Sequence, residues 1–185
     1  LACNVQSTEL RHQISLLPLF THDELYDAWL KTNAWWYINY GPSPLNGAVQ
    51  PYSQRLLLRR IITEADSCVA LSHPGATLRY GHDTMVMPLV CLLGIDGYDK
   101  EVEDLELLDD ENWLDYRIFP MACNLQFVFY RSQKRPHDIL VKVLLNENET
   151  TLPLPSAIAP YYHWQDFKAY YLAKIDNFQV RGCQK

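Results

Sequence analysis

Apolar positions along the 185 residues recur at helical spacing in several stretches and switch to alternate spacing near residue 125. Residues 5–17 carry Val5, Leu10, Ile14 and Leu17 close to a period of about 3.6 and predict a helix that Pro18 ends. A second helix is predicted over residues 23–39, with Leu25, Ala28, Trp29, Trp36 and Tyr37 near one face. Thr21 and Glu24 have the spacing of a capping box at its start, where His22-Asp23 falls. Its aromatic density reads as a packed helix interface, because Trp and Tyr carry so much apolar area; a stacking platform for a ligand is the alternative. The turn residues of 41–47 predict a loop. A third helix over residues 53–69 turns Leu57, Leu58, Ile61, Ile62 and Ala65 inward and leaves Arg55, Arg59 and Arg60 outside, as solvated charges or as neighbours of an anion.

Residues 72–75 form a turn into a short strand over 76–80, and Gly81 lets the backbone bend closely into the apolar run of residues 85–95. Asp83 or Thr84 is expected to cap that helix. Further on, Leu125, Phe127 and Phe129 share one side of a strand over 124–130, and a second strand covers 139–145. The intervening 132–136 suggest a hairpin, with His137-Asp138 in its turn. Residues 151–155 are expected as an edge strand that tolerates its prolines. Residues 161–178 close the chain as an amphipathic helix, with Trp164, Phe167, Tyr171 and Ile175 on one face. The length suits one domain, and there is no repeat, low-complexity tract or linker.

Composition narrows the choice. With 48% hydrophobic residues, 12 tyrosines and 5 tryptophans the chain is not disordered. No apolar run approaches about 18 residues, so no membrane span is expected. The net charge of −6 is uneven. Ten acidic residues and one lysine lie between Asp96 and Asp115, leaving 15 Lys and Arg against 12 Asp and Glu elsewhere, a local surplus of three positive charges that tolerates an anionic substrate. Nucleic acid is not expected, because no basic stripe or binding motif occurs. The acidic segment reads as a solvated loop and helix. Its Asp96-Gly97-Tyr98-Asp99-Lys100 lacks the alternating oxygen ligands of a calcium loop. Cys3, Cys68, Cys91, Cys123 and Cys183 are scattered with no metal-ligand spacing, so they predict no metal site. Cys91, in an apolar helix, and Cys123, in an apolar strand, read as small core residues; at most two disulfides are possible among the five.

His-Asp occurs three times, at 22–23, 82–83 and 137–138, so the dipeptide alone says little. The middle copy differs in setting. A strand that turns on glycine into a helix puts two titratable side chains at a sheet's carboxyl edge, where ligands of open α/β sheets bind. The helix start adds unpaired N–H groups and a positive dipole end, which suit phosphate. The plain alternative is a capped helix with a partly buried histidine.

The run Arg79-Tyr80-Gly81-His82-Asp83-Thr84-Met85-Val86-Met87-Pro88-Leu89 resembles the second signature of the histidine acid phosphatases, in which a GHDT-type step opens a helix holding a Pro-Leu pair. The flanks around His22-Asp23, around Met121-Ala122-Cys123-Asn124 and around Leu144-Leu145-Asn146-Glu147 are similar to bacterial members of the multiple inositol polyphosphate phosphatase and phytase branch. The resemblance implies an α/β layered fold, a mixed β-sheet flanked by helices, and hydrolysis of phosphomonoesters such as phytate through a phosphohistidine, without cofactor. It implies that His82 hydrogen-bonds the phosphate, that Asp83 protonates the leaving oxygen, and that Thr84 and Arg79 contact substrate. It also implies a periplasmic, cell-surface or secreted enzyme.

The family's RHGxRxP string, which supplies the nucleophilic histidine, does not occur here; Arg11-His12-Gln13 lacks its glycine and its second arginine. Residues 1–185 are therefore expected to be the C-terminal portion of a catalytic domain, inactive alone, with a missing N-terminal half or an oligomer partner covering an exposed sheet edge. The alternative is a non-catalytic relative or isolated fragment that only binds phosphate or a partner chain.

Overall fold

The computed structural model describes Leu10 and residues 13–179. Helix α1 (His22–Tyr40) starts as its spacing predicts: the Glu24 amide donates to Thr21 Oγ1 at 3.2 Å and the Thr21 amide to Glu24 Oε2 at 2.8 Å. Helix α2 (Arg55–Val69) follows a 3-10 turn over Gln50–Gln54, and buries Leu58, Ile62 and Ala65. Its start is later than expected because the 3-10 turn, opened by Pro51, takes the first residues.

Helix α3 (Asp83–Leu93) is the centre of the molecule. Its seven residues from Met87 to Leu93 are all buried, the all-round apolar pattern of a helix enclosed by other elements. Gly94 ends it in the left-handed region at φ 65°, where its amide donates to the Cys91 and Val90 carbonyls.

The long connection after α3 contains the short helix α4 (Asp115–Ile118). It is not simply a solvated acidic face, since Val102, Leu108, Trp113 and Leu114 are buried. Asn33 of α1, fully buried, fastens it: Nδ2 donates to the Trp113 carbonyl at 2.9 Å and Oδ1 accepts from the Asp115 amide at 2.8 Å.

The sheet is centred on β2 (Ile139–Leu145), which pairs antiparallel with β1 (Leu125–Arg131) in the register Phe127 to Val143 and Phe129 to Val141. The other side of β2 is shared by β3 (Asn148–Glu149) at one end and β4 (Tyr161–His163) at the other. Every ladder among the described residues is antiparallel. Helix α5 (Trp164–Asp176) covers one face, with Phe167 against Phe127 and Trp164 against Phe129 at ring distances of 6.0 and 5.0 Å. Sheet, α5 and the α2–α3 layer give the α/β layering expected from the sequence.

Several expectations are corrected. Residues 76–80 form no strand: a strand needs a neighbour to take its N–H and C=O groups, and no described strand lies alongside. The segment 71–82 is exposed throughout and is tied down by side chains, with Arg131 Nη1 donating to the Leu71 carbonyl at 3.2 Å and Cys68 Sγ lying 3.6 Å from Thr77 Oγ1. Residues 151–155 form no edge strand either. Pro153 and Pro155 have no N–H to give, and the Thr151 amide and hydroxyl instead donate to Asp96 Oδ1 at 2.7 and 2.9 Å. The last helix begins three residues late because Tyr161–His163 pair with β2. Cys123 precedes β1 in a turn rather than within a strand. The helix expected over 5–17 lies mostly outside the described residues, and Pro18 sits inside a 3-10 turn, Leu17–Leu19. Cys68, Cys91 and Cys123 are free thiols, and no helix among the described residues is long and apolar enough to cross a membrane.

Candidate active site

The step from residue 81 to residue 84 lies at the exposed N-terminal end of α3. His82, in extended backbone at φ −103° and ψ 162°, is the cap residue, and its carbonyl accepts the Met85 and Val86 amides at 2.9 and 3.2 Å. Its imidazole makes no capping bond, and neither Asp83 nor Thr84 occupies the cap position expected for them. Asp83 is the first helical residue, and its Oδ1 accepts the Thr84 amide at 2.7 Å. A carboxylate there faces the unpaired N–H groups and positive dipole end of the helix. His82 and Asp83 are both exposed, whereas Thr84 is half-buried behind them.

Gly81 is not in the left-handed region, and a Cβ added to it would meet only Met85, at 3.9 Å. The bend is therefore made by extended backbone, and the described residues place no steric demand for glycine there.

The charge of Asp83 is felt at Cys123. Burial first, and then the Asp83 carboxylate, push its thiol up from the ordinary value.

Arg79, three residues before His82, is paired with α2. Its Nη2 donates to Glu64 Oε2 on α2, and Glu64 Oε1 also accepts Arg60 Nε at 2.8 Å. The Arg60 bond, with a further contribution from Arg79, holds the Glu64 carboxyl below its usual range. Arg60 and Glu64 are four apart on a helix, a pairing readable from sequence. The Glu64–Arg79 pair, fifteen residues apart, is not.

The other two His-Asp copies have structural surroundings. His22 opens α1 within the capping box. Asp138 receives His163 Nδ1 at 2.8 Å and Arg135 Nη1 at 3.3 Å, fastening the hairpin turn to β4. Arg11 and His12 lie outside the described residues.

A cavity of about 450 Å³ lies at the other end of α3, lined by Cys91, Leu92, Tyr52, Asp99 and Lys174. A second of about 130 Å³ lies beside Ser156 and His163. His82 and Asp83 line neither, so the pair faces open surface. Among the described residues no group of three or more His, Cys, Asp or Glu side chains could hold a metal ion.

In comparisons with known proteins, multiple inositol polyphosphate phosphatase 1 of Dictyostelium discoideum is 24% identical over 109 residues, which is 57% of this chain and 17% of that protein. The crystal structure of the Bifidobacterium longum multiple inositol polyphosphate phosphatase in complex with inositol hexasulfate is similar in fold, with a TM-score of 0.60 and 23% identity over 82% of this chain and 32% of that one. The apo form of the same enzyme gives 0.64 and 21% over 87% and 34%. The chain spans about a third or less of the length of these relatives. The family model described as the histidine phosphatase superfamily (branch 2) matches residues 2–146, and with most of its sequence inside that match the chain belongs to that superfamily.

Proposed function

We propose that this chain carries the acid side of a phosphomonoester hydrolase that acts on inositol polyphosphates such as phytate through a phosphohistidine. The observation that carries the reading is the His82-Asp83 pair, exposed side by side at the N-terminal end of a helix in a chain of this superfamily. The names of the relatives, and inositol hexasulfate in one of them, support the substrate class.

In the proposed reaction a histidine of an RHGxRxP segment, supplied by polypeptide outside these 185 residues, attacks phosphorus. The N–P bond forms as the P–O ester bond breaks, and the departing alkoxide takes the proton of the Asp83 carboxyl. Water then attacks phosphorus and the N–P bond breaks, releasing phosphate, while the Asp83 carboxylate recovers a proton from that water. His82 donates a hydrogen bond to a phosphoryl oxygen throughout, and Thr84 and Arg79 contact the substrate. No metal or cofactor takes part. Asp83 must hold its proton when substrate binds, so turnover belongs to acid pH. Export to the periplasm or cell surface goes with the same reading.

The test is phosphate release from phytate at acid pH by a polypeptide that joins an RHGxRxP segment to this chain. Asp83→Asn should lower turnover by about a hundredfold or more, the usual scale of general acid catalysis. Unchanged turnover would remove Asp83 from that role. Release by the 185 residues alone would overturn the outside nucleophile. The second reading, a relative that binds phosphate or a partner chain without turnover, draws on the absence of RHGxRxP from this sequence. Phytate binding without release by the joined polypeptide would select it.

A further inference from the structure

We propose that Arg60, Glu64 and Arg79 form an anion subsite beside the His82-Asp83 step, in which the Glu64 carboxylate holds the place of a second substrate phosphate. The subsite makes the site selective for esters carrying several phosphates over those carrying one. The proposal rests on the hydrolase reading above and adds the source of its substrate preference.

Two guanidiniums bind the two oxygens of one carboxylate, Arg60 Nε on Oε1 at 2.8 Å and Arg79 Nη2 on Oε2. The cluster carries one net positive charge. It is open to solvent, with side-chain exposures of 75% for Arg60, 36% for Glu64 and 35% for Arg79. The fork of an arginine fits phosphate oxygens as well as carboxylate oxygens, and a phosphate brings more charge and more acceptors than Glu64 does. Exposed ion pairs are weak, so displacement of Glu64 costs little. Position matters as much as charge. Arg79 precedes His82 by three residues in a segment without ladder bonds, which puts their Cα atoms within roughly 10 Å of each other. A small ring with phosphates on several carbons spans that interval, so one phosphate meets His82 while a neighbour meets Arg79 and Arg60. A simple monoester offers nothing to the second position.

The experiment measures kcat/KM for phytate and for p-nitrophenyl phosphate with the joined polypeptide described above. Its readout is the ratio of the two values in the parent, in Arg60→Ala and in Glu64→Gln. Arg60→Ala should lower the phytate-to-monoester ratio about tenfold, and Glu64→Gln should raise it several-fold, because an uncharged amide competes less with phosphate. A ratio within about twofold of the parent in both variants would overturn the subsite while leaving the hydrolase reading intact. If the parent hydrolyses neither compound, the hydrolase reading fails instead. Calorimetric titration of the 185-residue chain with phytate then judges the subsite: weaker binding in Arg60→Ala and tighter binding in Glu64→Gln support it, and equal binding in all three proteins overturns it.

Discussion

The Tyr171 hydroxyl donates to the Leu93 carbonyl at 2.6 Å, joining α5 to the C-terminal end of α3 within the core. Helix ends leave carbonyls without intrahelical partners, and this one is buried, so the phenol supplies what water cannot. Tyr171→Phe keeps the ring and removes the donor. It should destabilise the fold by about 1–3 kcal/mol, with an unchanged denaturant slope in urea unfolding. A change below a few tenths of a kcal/mol would mean that the Leu93 carbonyl finds another donor.

Asn33 has no exposed surface and serves a carbonyl and an amide at once, those of Trp113 and Asp115. Asn33→Leu is close in volume and serves neither. It should cost about 2 kcal/mol or more, and it should release the acidic segment before the rest of the fold, read as early amide exchange over residues 102–115. Uniform exchange with the core would show that the segment is held chiefly by its apolar side chains.

Asp66 on α2 receives Trp164 Nε1 at 2.7 Å and Lys168 Nζ at 2.9 Å, both from α5. Burial acts to raise its carboxyl, but the Lys168 and Trp164 donors outweigh burial and hold it below the ordinary carboxylate value. A group with its folded value lowered stabilises the fold above the unfolded value, and loses that contribution as pH falls through the folded one. The α2–α5 clamp should therefore be intact near neutrality and weaken below about pH 4. The carboxylate is partly solvated, so the effect is modest. The melting temperature of Asp66→Asn should fall less steeply than that of the parent over the acid range, and parallel curves would refute the clamp.

The outer edge of β1 has no ladder partner among the described residues, and from Leu125 to Tyr130 it carries no charge, proline or bulge. Such an edge is a template for another strand. The 185-residue chain should associate with rising concentration in light scattering, and Val128→Lys should reduce the association while leaving circular dichroism unchanged. A monomer at all concentrations would show that the edge is covered.

Local chemistry was legible where its partner is close in sequence. Thr21 and Glu24 set the start of α1, residues 139–145 became β2 with the expected bounds, and the apolar run after Thr84 became the buried helix. Elements decided by distant neighbours were not legible. Residues 76–80 have the composition of a strand but nothing to pair with, and Tyr161–His163 continue a helical pattern yet are claimed by β2. The helix start at residues 82–83 was readable from its local pattern, although the cap falls on His82 rather than on Asp83 or Thr84. The Glu64 carboxylate on Arg79 depends on tertiary proximity, which no spacing encodes.

Helix α3 has two unlike ends: Gly94 and Leu93 are locked into the interior, while residues 71–83 stand in water with no ladder bonds. Substitutions on the open side therefore leave melting behaviour nearly untouched. Under the proposed roles of His82 and Asp83, a loss of turnover and a loss of structure can therefore be told apart by one thermogram, a separation that deeply enclosed side chains seldom allow.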